Sequence, residues 1–316
     1  MVNKKTITIL SVITALLIIL YIFIGINVGN IDYFLPRRTT RILGIIIVAL
    51  AISISTVMFQ SLVTIRTLTP SMLGFDNMYM LMQTTLVFIV GSSSNVVSNP
   101  YLNFGVSLVF MVGFSTILYG LLFKKMGREL ISLLMIGIIL STLFRSISSF
   151  FQMIMDPNEF TIIQDRSFAS FNNMNTSILW IAIILITIVI IYIGDEFLKL
   201  DVLALGKDNA INLGIDYDKH IIKYLIIISI LIAISTALVG PIMFLGLLVV
   251  NIARALSKTY KHTSLILISF LISLVFLVGG QLVLERIFNF ALPLSIVINF
   301  IGGIYMLFLL KKEMTL

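Results

Sequence analysis

Long apolar runs separated by short polar stretches repeat along the whole chain. About 20 apolar residues in helical form cross the hydrocarbon core of a bilayer. Ten segments meet or approach that requirement: 6–27, 40–63, 77–91, 101–123, 130–153, 177–194, 221–239, 241–257, 263–285 and 292–310. The third is short. The eighth follows the seventh across only Gly240-Pro241, where proline removes a backbone donor and a helix must break or turn. The pattern predicts an all-α, polytopic membrane protein with one transmembrane domain over residues 1–316. Lys4 and Lys5 before the first run resemble the start of a signal peptide. No small-residue cleavage site follows, so this run is expected to remain as a span.

Charge orients the pattern. Fifteen Lys and Arg fall on the side of both termini, against five (Arg37, Arg38, Arg41, Arg166, Arg286) on the other; Arg145 lies inside the fifth span. The excess predicts cytoplasmic termini and a cytoplasmic 195–220 segment. Ten spans also allow two five-helix halves inverted relative to each other, although no sequence repeat accompanies them. Only 11% of residues are charged, against roughly 25% in soluble domains. The net charge of +7 is spread over many short connections, which makes it a topology signal; no nucleic-acid partner is expected. Cysteine is absent, which excludes disulfides, thiolate metal sites and cysteine nucleophiles. His220 and His262 have no metal-ligating neighbour at helical spacing, and neither metal nor cofactor is expected.

The segment LGKDNAINLGIDYDKH (205–220) is polar and holds two glycines. Asp201 is placed to cap a short helix over 202–205 stopped by Gly206, and Asp208 a second over 209–213 stopped by Gly214. Ala210, Ile211 and Leu213 would give the second an apolar face, suited to a partner's groove or part of a solvated connector. No phosphate-binding G-x-x-x-x-G-K-[ST] loop is present. If ATP drives this protein, another chain hydrolyses it. Arg38 and Arg41, spaced i, i+3, share one helix face; ordinary interfacial anchoring is the plain alternative. Arg145 lies about 12 Å inside its span at 1.5 Å per residue, among Ser141, Thr142, Ser146, Ser148 and Ser149. It either lines a path or makes a structural contact. Gln60 either lines a path or bridges helices.

ALGKDNAINLGI resembles the cytoplasmic coupling motif of FecCD-type permeases, A-L-G-x-x-x-A-x-x-L-G, at Ala204, Leu205, Gly206, Ala210, Leu213 and Gly214. RTTRILGIIIVALAISISTVMFQ is similar to the family's R-x-x-R…Q block at Arg38, Arg41 and Gln60. RTLTPSMLGF, GPIMFLGLLVVNIAR and the last apolar block follow in the family's order. Val250-Asn251 replaces the usual Pro-His, and ALPLS replaces E-[LI]-P-x-G. The whole looks closest to Gram-positive catecholate/petrobactin-type siderophore permeases.

The resemblance implies a type II ABC importer fold, like that of cobalamin permeases, in the bacterial cytoplasmic membrane. It implies three kinds of partner: a second permease subunit (a copy or a sister chain), two cytoplasmic ATPase subunits, and an extracellular binding protein that delivers an iron-siderophore complex. Haem or cobalamin are the alternative cargoes. Under this resemblance 201–214, Asp208 included, seats in an ATPase cleft. Arg38, Arg41 and Arg286 grip carboxylates of the binding protein; Asp165 and Arg166 are either further contacts or part of a plain surface loop. Apart from the resemblance, Arg145 and Gln60 are the candidates for the path, each with the structural alternative given above, and Asn251 and Arg254 anchor the cytoplasmic end of the eighth span, where they could support the coupling region.

Two other classes compete. An ion-coupled secondary transporter needs an intramembrane carboxylate or an unwound cation site. No Asp or Glu falls at a predicted span midpoint; Glu285 sits at an outer edge. A membrane enzyme needs clustered His, Asp, Cys or Ser at one depth, and the two histidines stand far apart.

Overall fold

The computed structural model describes residues 4–25, 31–63, 68–125, 130–172, 174–257, 259 and 261–314. Every regular element among them is helical. In chain order these are α1 (Lys4–Phe23), α2 (Ile31–Val63), α3 (Phe75–Val90), α4 (Asn95–Ser98), α5 (Pro100–Lys125), α6 (Leu130–Ile154), α7 (Pro157–Arg166), α8 (Thr176–Ile193), α9 (Phe197–Leu203), α10 (Lys207–Asn212), α11 (Tyr217–Val239), α12 (Leu245–Leu256), α13 (His262–Arg286) and α14 (Leu294–Met314). Each predicted apolar run forms one helix, and α4, α7, α9 and α10 lie in the connections.

Among the described residues, seven helices are long and apolar enough to cross a membrane: α1, α2, α5, α6, α8, α11 and α13. The ten expected spans are therefore unequal, the third and eighth being the short ones. Helices α3 and α12 have 16 and 12 residues, because a non-helical segment precedes each. Before α3, Thr69 is extended and Pro70–Leu73 makes one 3-10 turn, ended by Gly74 at φ +99°. Before α12, Gly240 at φ +100° ends α11 and Pro241 follows. Both glycines hold a left-handed backbone conformation that side chains disfavour.

The most apolar stretches of α2 and α11 are 78% and 67% buried, against 11% for α1 and 22% for α5. They form the centre of the molecule and pack on each other. They run antiparallel: Pro36–Arg41 at the start of α2 and Ala237-Leu238 at the end of α11 wall one cavity. The neighbours repeat this relation. Helix α2 packs on α13 and α12 as α11 packs on α5 and α3, and α3 packs on α6 as α12 packs on α14. This is the packing of two five-helix halves, α1-α2-α3-α5-α6 and α8-α11-α12-α13-α14, with the partners exchanged. A sequence repeat is not needed for it, since helix packing constrains side-chain size more than identity.

Small residues let the central helices approach closely. Ser53, Ser55 and Thr56 of α2, and Ser229, Ser235 and Thr236 of α11, are buried. A methyl group added at Gly246 of α12 would overlap the Thr56 side chain, whereas one at Gly113 of α5 meets nothing within 4 Å. Gly246→Ala is expected to destabilise by about 1–3 kcal/mol through overpacking. Thr56→Ala should restore part of that loss, and Gly113→Ala should cost nothing; thermal unfolding in detergent reads all three.

Candidate functional site

The polar 201–214 segment folds as a compact knuckle at the end of the molecule where α10 lies. Helices α9 and α10 are joined by a turn over Ala204 and Leu205. Gly206 (φ +96°) opens α10 and Gly214 (φ +82°) follows it. A methyl group at either would meet nothing within 4 Å, so the backbone angle alone calls for glycine. Ala210 is fully buried, while Leu205, Ile211 and Leu213 are 57%, 51% and 62% exposed. Three large apolar side chains thus project from a segment that holds its own shape.

The predicted caps differ from those observed. Helix α9 begins at Phe197, so Asp201 lies inside it. Its carboxylate instead reaches α13, where Oδ1 accepts the backbone N–H of His262 at 3.0 Å and touches the ring Nδ1. Asp208 sits within the first turn of α10, and Gly206 takes the N-cap position. A second carboxylate fixes the root of the knuckle. Glu196, 8% exposed, accepts from Lys199 and Lys223 at 3.0 Å each, and from the Tyr224 hydroxyl at 3.1 Å. Burial pushes its carboxyl upward, but the bonds from Lys199, Lys223 and Tyr224 outweigh this and hold it at about 2. The knuckle is therefore braced on α11 through Glu196 and on α13 through Asp201.

At the opposite end, Arg38 is not available for docking. It is 4% exposed. Its guanidinium donates to the carbonyls of Tyr21, Ile22 and Ile24 at 2.8, 3.0 and 2.8 Å and pairs with Glu285. The last carbonyls of a helix have no partner within it, and Arg38 satisfies those of α1. Arg286 also donates to the Ile24 carbonyl and stands 3.6 Å from Glu285. Two of the three expected docking arginines thus hold α1 to α2 and α13.

Arg41 faces elsewhere, onto a cavity of ≈ 860 Å³. Arg37 and Arg41 of α2, Arg166 at the end of α7, Tyr79 of α3, Asn103 of α5 and Asn172 line it, with no Asp or Glu among the described residues. Arg37 stacks on Tyr33 at 4.1 Å, and Arg41 lies 5.6 Å from the Phe290 ring. Arg166 donates to Gln83 Oε1 and, at 3.0 Å, to the Val97 carbonyl. Gln83 is fully buried and exchanges hydrogen bonds with Asn103 (2.9 and 3.2 Å) and donates to Ser107 (3.1 Å). Neutral partners hold Arg166 in place and leave its charge for the cavity. In the sequence Arg37 counted only towards topology, and the Gln83–Asn103 network left no mark beyond two amides inside apolar runs.

The remaining candidates separate. Arg145 is exposed on α6 with Thr142, Ser146 and Ser149, a polar stripe at helical spacing. Gln60 is 2% exposed and donates to the Leu68 carbonyl at 3.3 Å, in the connection that follows α2. Asn251 is buried and donates to the Leu247 carbonyl one turn back at 2.9 Å. Arg254 lies partly buried in the last turn of α12. Asp165 is exposed.

Comparison with known proteins gives consistent results. The profile of the FecCD transport family matches residues 3–312. The petrobactin import system permease protein YclO of Bacillus subtilis (strain 168) is 50% identical over 292 residues, 92% of this chain and 93% of its own. The petrobactin import system permease protein FatC of Bacillus anthracis is 35% identical over 280 residues, 89% and 79%. Among solved structures, an inward-facing metal-chelate type ABC transporter superposes with a TM-score of 0.84 at 21% identity, over 98% of this chain and 99% of its own. That likeness speaks for the fold.

The Glu196 brace has a pH signature. A carboxyl held at about 2 when folded, against about 4.3 for a free Glu, contributes stability that is fully present above the free value and lost as pH falls towards 2. The stability gap between the protein and its Glu196→Gln variant should therefore be constant from pH 7 to about 5 and shrink below that. Urea midpoints measured across this range check it.

Proposed function

Since the chain belongs to the FecCD transport family, we propose that it is the membrane permease of an ATP-driven importer that takes up a ferric siderophore handed over by an extracellular binding protein. Likeness to two petrobactin import permeases supports the cargo class. The observation that carries the mechanism is the knuckle: Leu205, Ile211 and Leu213 exposed on a segment tied to α11 and α13 by Glu196 and Asp201. A short rigid element of this kind seats in the cleft of a cytoplasmic ATPase subunit. Closure of two such subunits around ATP pushes it, and the braces pass the displacement to α11 and α13, both packed on α2. No covalent bond changes in the permease. Energy comes from a chain it does not contain.

The Lys and Arg excess supports cytoplasmic termini and a cytoplasmic knuckle. The arginine-lined cavity then faces outward. Arg37 and Arg41, rather than Arg38, meet acidic groups of the binding protein. Contacts at such a rim mainly set orientation and on-rate. Helix α6 supports a second permease subunit: Arg145, Thr142, Ser146 and Ser149 would be costly against lipid, and a translocation path between two subunits places them in water.

In the assembled transporter, Leu213→Asp and Gly214→Pro should abolish ligand-stimulated ATP hydrolysis while membrane insertion stays normal. Unchanged stimulation in both variants contradicts the coupling role.

A further inference from the structure

The α2–α3 break holds a carboxylate that no step above uses. Asp76 stands in the first turn of α3 and is 5% exposed. Neither of its oxygens has a hydrogen-bond partner among the described residues. The hydroxyl of Ser71 is its polar neighbour, and Thr69 Oγ1, 1% exposed, likewise has no partner.

The elements around α3 supply no compensating charge. From α5, Tyr119 lies with its ring 6.4 Å from that of Phe75. From α6, Ser141 faces Gly74 and accepts from Asn77 at 2.8 Å, while Arg145 is exposed. Of α7, Arg166 engages Gln83 at the middle of α3, about 10 Å along the helix from Asp76 at 1.5 Å per residue, and Glu159 accepts the Ser92 N–H beyond its end. The charged residues of α11 lie in its first two turns, where Lys223 is held by Glu196. A buried, ionised carboxylate with no cation beside it and only the Ser71 hydroxyl as a donor is disfavoured, because one hydroxyl does not offset the loss of water, and such a group takes a proton. A metal cation would require about six oxygens. The carbonyls of the break are already engaged: Leu68 by Gln60, Thr69 by Met72 N–H, Ser71 by Gly74 N–H and Gly74 by Met78 N–H.

We propose that Asp76 is a proton-binding site of the transport cycle: a neutral carboxylic acid when the break is closed, as here, and a carboxylate when the break opens to water. On opening, the carboxyl O–H bond breaks and the proton passes to water; on closing, the same bond re-forms. Nothing is oxidised or reduced. Ser71, the neighbour of the acid, also lines with Thr69 a cavity of ≈ 10 Å³ shared with Thr56, Ser235 and Thr236, about the space of one water. The cycle invoked here rests on the import reading, whereas the protonation itself does not.

Infrared difference spectra of the assembled transporter in vesicles, ATP-bound minus resting, test the site. Loss of a protonated-carboxyl C=O band is expected in the unmodified protein. The band should be absent in Asp76→Asn and displaced in Asp76→Glu, which keeps the test open if the amide variant fails to assemble. Spectra that are the same with and without the Asp76 carboxyl overturn the site. If the band behaves as expected but ATP drives no import, the import reading fails and the proton site stands.

Discussion

Hydrocarbon offers no partner to a backbone N–H or C=O, and this constraint shapes the molecule more than any single contact. A chain with non-helical segments at 68–74 and 240–244 must keep them away from lipid. It does so by placing them around α2 and α11, its two most buried helices. Both breaks reach the same small cavity: Thr69 and Ser71 line it from one side, Gly240, Ile242 and Met243 from the other, with Thr56 and Ser235 between. The centre of each half is thus a helix break packed against its counterpart. Small residues such as Gly246 and Thr56 allow the approach and leave little room for change.

The same constraint explains the charges at the two ends. Open carbonyls at the end of α1 bind Arg38 and Arg286, with Glu285 between the two guanidinium groups. Gly25, at φ +70°, lies directly beneath Arg286, where a side chain would strike the guanidinium. Arg166 instead rests on the neutral Gln83 and Val97 carbonyl and keeps its charge for the cavity. At the other end, Glu196 and Asp201 hold the knuckle to α11 and α13. Motion imposed on Leu205, Ile211 and Leu213 therefore has a short, well-braced route to the central pair.

Local pattern made much of this legible. Apolar runs located every large helix, and the Gly-Pro at 240–241 marked the second break. Two glycines and an apolar trio marked the knuckle. What escaped was everything decided at long range. The i, i+3 spacing of Arg38 and Arg41 suggested a shared task, but Arg38 turns to the carbonyls of a helix 14 to 17 residues earlier. Asp201 has the residue type and place of a local cap, yet its partner His262 is 61 residues away. The arginine cavity draws on α2, α3, α5, α7 and the chain before α8, a conjunction that no window of sequence contains. Asp76 lay one residue outside a predicted span and so escaped the search for buried carboxylates; the early break before α3 carries it inside.

The proposed function makes this chain a conduit whose two helix breaks are moved through a small braced element by partner ATPase subunits. A buried acid at one break adds a proton to the cycle but does not drive it. The most direct measurement is uptake of the ferric chelate by vesicles containing the purified permease and an imposed proton gradient, with and without its ATPase subunits, binding protein and ATP. Uphill accumulation should require all three additions and vanish without them. Accumulation by the permease alone would contradict the account.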